Sequence, residues 1–84
     1  MRLLRTEDWT READWGISTA VVEVFEGEQV FISYEIAREF DISPDEGRDV
    51  ARFEKFVLLV PYARVAQALG AQFYVKQDPV DASA

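Results

Sequence analysis

The chain has 84 residues, the length of one small domain. Its 16 acidic and 9 basic residues give a formal net charge of −7, which argues against non-specific binding to nucleic acid or to anionic membranes. The chain has no cysteine and no histidine, which removes disulfides, thiolate metal sites and the usual general base. We therefore expect a cytoplasmic protein that is not an enzyme and uses no metal or cofactor.

Both tryptophans, Trp9 and Trp15, lie in the N-terminal stretch EDWTREADWG. Residues 3–15 are ambiguous, because Thr6 or Thr10 could cap a short helix while an extended segment is also compatible. A fold this small rarely leaves its two largest side chains in water. We predict that Trp9 packs in the core and that Trp15 is partly exposed and contacts a partner.

Residues 19–34 predict a β-hairpin, because β-branched and aromatic residues flank the turn EGEQ, in which Gly27 accepts a positive φ. Neither side of the hairpin is cleanly polar, so we expect one side on the core and the other partly covered by the N-terminal segment or a second subunit. Ser33 has the position of an N-cap for a short helix. The apolar stripe of that helix is Ile36, Ala37 and Phe40.

A longer helix is predicted to begin at Ser43, because Ser43-Pro44-Asp45-Glu46 has the pattern of a capping box with proline at the first helical position. Pro61 conflicts with a continuous helix. The helix could kink at Val60, a new helix could begin at Pro61, or residues 56–60 could form a buried strand. We expect a kinked or broken helix. Its core-facing stripe would be Val50, Phe53, Val57 and Val60.

The helical pattern continues over residues 62–69, and Gly70 follows at the position of a C-terminal cap. Residues 71–76 alternate between apolar and polar and predict a strand that returns to the hairpin. The resulting fold class is α+β: a hairpin plus a C-terminal strand form a small antiparallel sheet that packs against a short helix and a longer kinked or broken helix. Residues 1–76 would form one domain and residues 77–84 a flexible tail.

Several short motifs follow one another along residues 7–69: an N-terminal tryptophan, a hairpin with glycine at its turn, an Ile-Ser-x-Glu start to a short helix, and a phenylalanine near a C-terminal helix. The residues are Trp9, Val22–Phe25, Gly27, Val30, Ile32–Glu35, Phe40 and Phe53. This order resembles small bacterial proteins of the DUF1488 type. The resemblance implies a hairpin-plus-helices layout and a bacterial origin, and it implies no activity.

Acidic residues cluster around the predicted hairpin and on and between the predicted helices. With Trp15, the candidate partner-binding residues are Glu23, Glu26, Glu28, Glu35, Glu39, Asp41, Asp45, Glu46 and Asp49. We expect a protein partner with a basic surface, and the apolar content leaves room for a homodimer. Such a surface could also imitate the phosphates of nucleic acid, as in inhibitors carried by phages and mobile elements, including anti-CRISPR proteins.

A second alternative is a nucleic-acid-binding regulator. It would use a basic stripe at helical spacing, formed by Arg48, Arg52 and Lys55. The net charge opposes this alternative, so we expect nucleic acid to be the less favoured partner.

Overall fold

The computed structural model describes residues 1–75, which form a six-stranded antiparallel sheet and two α-helices and confirm the α+β class. In chain order the elements are β1 (Leu3–Ala13), β2 (Gly16–Phe25), β3 (Gln29–Ile32), α1 (Tyr34–Glu39), a 3₁₀ turn (Pro44–Glu46), β4 (Arg48–Arg52), β5 (Lys55–Pro61), α2 (Tyr62–Leu69) and β6 (Tyr74–Val75). The strand order across the sheet is β4-β5-β3-β2-β1-β6. The predicted tail, residues 77–84, lies outside the described residues.

The N-terminal segment is a strand, so a short helix capped by Thr6 or Thr10 is wrong. β1 pairs with β2 from Leu3 to Ala13. Trp9 is 5% exposed and joins the core, whereas Trp15 lies in the turn between the strands and is 73% exposed. The strand is hard to recognise in the sequence because charged residues alternate with Trp9 on the side that faces the helices.

β2 and β3 are neighbours in the sheet, but they share a single residue pair, Phe25 with Gln29. They do not form the regular hairpin expected over residues 19–34. The sheet therefore consists of two three-stranded halves, β6-β1-β2 and β3-β5-β4. Within the second half, β3 pairs with β5 along its whole length.

The predicted long helix is wrong. Ser43 and Glu46 do form the capping box, with the backbone N–H of Ser43 donating to Glu46 Oε2 over 2.7 Å, but the helix ends after one 3₁₀ turn. Gly47 follows, and its backbone approaches β5 so closely that a Cβ atom would lie 2.6 Å from the Leu59 carbonyl oxygen. β4 and β5 then form a hairpin, which agrees with the alternative of a buried strand over residues 56–60.

The four residues predicted to form the apolar stripe of the long helix differ in burial. All of Val57–Val60 are buried, because β5 lies inside the sheet and contributes side chains to both of its faces. Phe53 lies in the turn between β4 and β5 and is 82% exposed. Val50 is half-buried on β4.

Pro61 is the last residue of β5 and the N-cap residue of α2. A new helix therefore begins after Pro61, and the expected kink within a longer helix is absent from the described residues. Ser33 caps α1, as predicted, and accepts a hydrogen bond from the backbone N–H of Ile36. β6 pairs with β1, which corrects the expectation that it returns to the predicted hairpin. Within residues 1–75 no helix is long and apolar enough to cross a membrane.

The core lies on one face of the sheet, which we call the inner face, and both helices contribute to it. Val24, Leu58 and Val60 are its most deeply buried side chains. The rest of the cluster is Trp9, Val22, Val30, Ile32, Ala37, Ile42, Val65 and Leu69. The opposite face, the outer face, carries Phe25, Phe31 and Leu59.

We predict that Glu54→Gly raises the free energy of unfolding by about 0.5–1 kcal/mol, because Phe53 and Glu54 form a two-residue turn with φ values of 53° and 64°. Glycine adopts this left-handed conformation without a Cβ penalty, and its greater loss of entropy offsets part of the gain. Urea denaturation monitored by circular dichroism measures the effect. Glu54→Ala is the matched control and should not stabilise; equal stability of the two variants would contradict the prediction.

Candidate binding groove

A groove separates β2 from β3 beyond their single shared pair. Its cavity volume is about 260 Å³, which exceeds the roughly 150 Å³ that can hold a benzene molecule. The residues that line it come from both strands, from the two helices beneath, and from β4. They are Ala20–Glu23, Phe25, Val30–Ser33, Ile36, Phe40, Ile42, Arg52, Val65, Ala68 and Leu69.

The two walls of the groove are strand edges without strand partners. β2 pairs with β1 on one side, and on its other side only Phe25 has a strand partner among residues 1–75. β3 pairs with β5 on one side, and beyond Gln29 its other side faces the groove. Backbone N–H and C=O groups that point from such edges are available to a further strand.

The groove is mainly apolar, and two of its apolar side chains are exposed. Val21 on β2 is 64% exposed and Ile36 on α1 is 41% exposed. The charged residues among its lining are Glu23 and Arg52. An apolar groove with few charged groups is suited to binding.

On the inner face, the closed end of the groove is held by a network of hydrogen bonds. Arg5 on β1 donates to both carboxylate oxygens of Glu28, over 2.8 and 3.0 Å, and its guanidinium lies 4.9 Å from the centre of the Tyr62 ring. Glu7 accepts from Tyr62 Oη over 2.6 Å and from Trp9 Nε1 over 3.2 Å. β1, the turn after β2 and the start of α2 are thereby joined.

The environment of Glu7 changes its acidity. Burial alone would raise the pKa of Glu7, but the hydrogen bonds from Tyr62, Arg5 and Trp9 together outweigh it and lower the pKa of the carboxyl. Burial and the adjacent Glu7 carboxylate raise the pKa of Tyr62. The network therefore contains an ionised Glu7 and a protonated Tyr62 at neutral pH.

On the outer face, the Arg52 side chain extends from the end of β4 to the aromatic rings beside the closed end of the groove. Its guanidinium carbon is 4.2 Å from the centre of the Phe31 ring on β3 and 5.1 Å from that of Phe25 on β2. The centre of the Phe53 ring is 4.8 Å from the same guanidinium carbon. Over residues 1–75 the guanidinium has no hydrogen-bond acceptor and no acidic partner, so aromatic stacking holds it while its N–H donors stay free.

The predicted basic stripe exists, but on strands and not on a helix. Arg52 and Lys55 are paired across the β4–β5 turn, and Arg48 lies on the same side of β4 as Arg52 because residues four apart on a strand share a face. Among these three residues, Arg52 lines the groove.

Several predicted acidic residues have partners within the fold. The Arg5 guanidinium lowers the pKa of Glu28, and the Arg64 guanidinium, 2.8 Å from Glu46, lowers the pKa of that carboxyl. The remaining contacts are those of Glu26 with the Arg2 backbone N–H, Asp45 with the Ser43 hydroxyl, Asp49 with the Tyr34 hydroxyl, and the Asp41 carbonyl with Arg64.

The other predicted acidic residues lie at separate places. Glu23 is exposed on the β2 wall of the groove, and Glu35 and Glu39 are exposed on α1. Trp15 is at the far end of the β1–β2 hairpin and does not line the groove. Of the predicted partner-binding residues, the structure therefore places Glu23 at the groove, together with Arg52 from the alternative set.

Sequence reasoning did not assign Val21, Ile36 or Arg5 to a site. The signal for Val21 was the absence of a polar face along residues 19–34, which indicates a surface that contacts something else. Arg5 and Glu7 carried no sequence signal, because their partners are distant along the chain.

Comparison with known protein families, with curated proteins and with solved structures finds no match for this chain. The resemblance to the DUF1488 type stays a prediction. Among the described residues, no group of three acidic side chains is placed to hold a metal ion.

We predict that Glu7→Gln lowers the free energy of unfolding by about 1–2 kcal/mol at pH 7, because it removes the charged partner of Arg5 and Tyr62. A carboxyl whose folded pKa is lowered stabilises the fold above its unfolded pKa, near 4.3, and this contribution is lost as the pH falls through the folded pKa. The difference between wild type and variant should therefore shrink below about pH 4.

Urea titrations at several pH values provide the measurement. Glu12→Gln on the same strand is the control, since Glu12 is exposed and should change stability by less than about 0.5 kcal/mol. A Glu7→Gln effect that does not vary between neutral and acidic pH would refute the role of the ionised carboxylate.

Proposed function

We propose that this protein is not an enzyme and acts by binding another protein through the groove between β2 and β3. The observation that supports this proposal is the pair of strand edges that flank an apolar groove and that, beyond Phe25 and Gln29, have no strand partner in the described part of the chain. We also propose that the protein is cytoplasmic and that it is related to small bacterial proteins of the DUF1488 type.

Two physical arguments favour a protein partner. First, strand edges supply backbone donors and acceptors in a regular row, which matches the row of donors and acceptors on an extended polypeptide. Second, burying exposed apolar side chains such as Val21 and Ile36 gives a favourable free energy that scales with their area. Glu23 at the wall favours a partner with a basic side chain at that point.

Exposed acidic residues are a second surface feature that could bind a partner. Glu23, Glu35 and Glu39 are exposed and could attract a basic partner or imitate nucleic-acid phosphates, as an inhibitor of the anti-CRISPR kind would. The ion pairs and hydrogen bonds of Glu28, Glu46 and Asp49 reduce the free charge available for this role.

We predict that Val21→Arg abolishes capture of partners that the wild-type protein retains, because it places a long charged side chain at the groove. Ile17→Arg is the matched control, since Ile17 lies on the same strand, is 68% exposed and does not line the groove. Affinity capture from a bacterial lysate, followed by mass spectrometry, compares the three proteins after circular dichroism has verified their fold.

The proposal requires that a defined set of proteins be retained by wild type and Ile17→Arg and lost with Val21→Arg. It fails if wild type retains no such set, or if Val21→Arg retains the same set. Sedimentation equilibrium of the three proteins tests whether a second copy of the chain occupies the groove instead. If wild type and Ile17→Arg are dimers and Val21→Arg is a monomer, the groove mediates self-association and the proposal of a different protein partner is wrong.

A second candidate, a nucleic-acid-binding regulator, is favoured by the position of Arg48, Arg52 and Lys55 on one sheet face beside Phe31. We expect any binding to depend steeply on salt, with a slope in log–log form of about −2 to −3 for three phosphate contacts. Mobility-shift titrations with single-stranded and duplex DNA measure it. The absence of a shift at about 50 mM salt, or an unchanged shift with Arg48→Glu, eliminates this candidate.

A further inference from the structure

The groove is open at one end and closed at the other. It closes where Phe25 pairs with Gln29, because this pair occupies the β2 edge that a further strand would use. A polypeptide segment that adds to β2 from the open end must therefore stop at the closed end or turn away from the sheet.

The guanidinium of Arg52 reaches the closed end from β4, and it has no acidic partner among residues 1–75. Arg52 stacks on Phe25 and Phe31, one from each wall, and within residues 1–75 no acceptor contacts its guanidinium. A planar guanidinium with free N–H donors binds a carboxylate through two parallel hydrogen bonds. The aromatic rings limit the motion of Arg52 before binding, which lowers the entropic cost of forming those bonds.

These two features define the direction of a bound segment. β3 runs from the closed end towards the open end, so a segment whose carboxyl end lies at the closed end runs antiparallel to β3 and parallel to β2. Such a segment can form antiparallel hydrogen bonds with the free edge of β3. Its terminal carboxylate then lies beside Arg52.

We propose that the groove binds the carboxyl-terminal segment of a partner protein in an extended conformation, with its terminal carboxylate on Arg52. This proposal rests on the proposed function of the groove in binding a protein. Alternate side chains of the segment face Ala20 and Val22 and are apolar, and the side chain opposite Glu23 is basic.

The charge distribution disfavours a second copy of this chain as the occupant. Each copy has a formal net charge of −7, and joining two copies at their β2 edges would bring two Glu23 side chains close together. A carboxyl terminus on a foreign segment instead places one negative charge on the unpaired Arg52 and a basic side chain on Glu23.

The proposal is tested by selecting peptides that bind the protein and then comparing each peptide with a form whose terminal carboxylate is replaced by an amide. A displayed library with roughly seven randomised residues at a free carboxyl terminus spans the length of the groove wall. Selected peptides are synthesised with a fluorescent N-terminal label, once as the free acid and once as the C-terminal amide. Fluorescence anisotropy measures the affinity of both forms for wild type, Arg52→Gln and Arg48→Gln.

We expect the free acid to bind wild type about tenfold more tightly than the amide, because a hydrogen bond to a charged group contributes that factor or more. Arg52→Gln should bind the free acid and the amide equally. Its affinity for the amide should equal that of wild type, and this equality shows that the substitution leaves the groove intact. Arg48→Gln should behave as wild type, since Arg48 is on the same strand and face but does not line the groove.

The inference is overturned if the library yields no binders, or if acid and amide bind wild type equally. The acid–amide comparison on wild type needs no variant and so does not depend on how Arg52→Gln folds. If acid and amide bind equally while partner capture still depends on Val21, the carboxyl-terminal assignment fails and the proposed function stands. If capture does not depend on Val21 either, both fail.

Discussion

The structure depends on how its two half-sheets are joined. β2 and β3 share only the pair Phe25–Gln29, so the backbone ladder alone does not hold the halves together. Side chains supply the rest at the same end of the sheet: Arg5 with Glu28 and Glu7 with Tyr62 on the inner face, and Arg52 across two phenylalanine rings on the outer face. Beyond the Phe25–Gln29 pair, β2 and β3 share no further residue pairs among the described residues.

The groove follows directly from this one-sided connection. Were β2 and β3 paired throughout, their backbone groups would be satisfied and Val21 would lie on a continuous sheet face. Instead, among residues 1–75, most of the two facing strand edges has no strand partner, and these edges lie above an apolar floor formed by both helices. Unpaired edges usually lead to aggregation, and proteins keep them where a partner occupies them. The groove is therefore the feature around which function is proposed.

Arg52 reaches the groove only because of the β4–β5 hairpin. Two residues in the left-handed conformation, Phe53 and Glu54, connect β4 to β5 directly after Arg52, and strand pairing then places Arg52 opposite Lys55 on the outer face. Backbone strain of this kind is retained where the surrounding structure determines it and is often found near functional positions. The turn lies at the Lys55 end of β5 and the closed end of the groove at its Pro61 end, and the Arg52 side chain connects the two by stacking on Phe53, Phe31 and Phe25.

The sequence by itself determined the α+β class, the helix capped by Ser33, the helical pattern over residues 62–69, and the burial of Trp9 with exposure of Trp15; it left open whether a helix kinks at Pro61 or begins there. These depend on local patterns and on side-chain size. Tertiary structure decided the rest. A capping box stabilises a helix by about 1 kcal/mol, whereas burying each of Val57–Val60 contributes about 1.5–3 kcal/mol, so pairing with β3 overrode the helix signal at Ser43. The groove, and the position of Arg52 within it, require residues distant along the chain to meet, and no local pattern encodes that meeting.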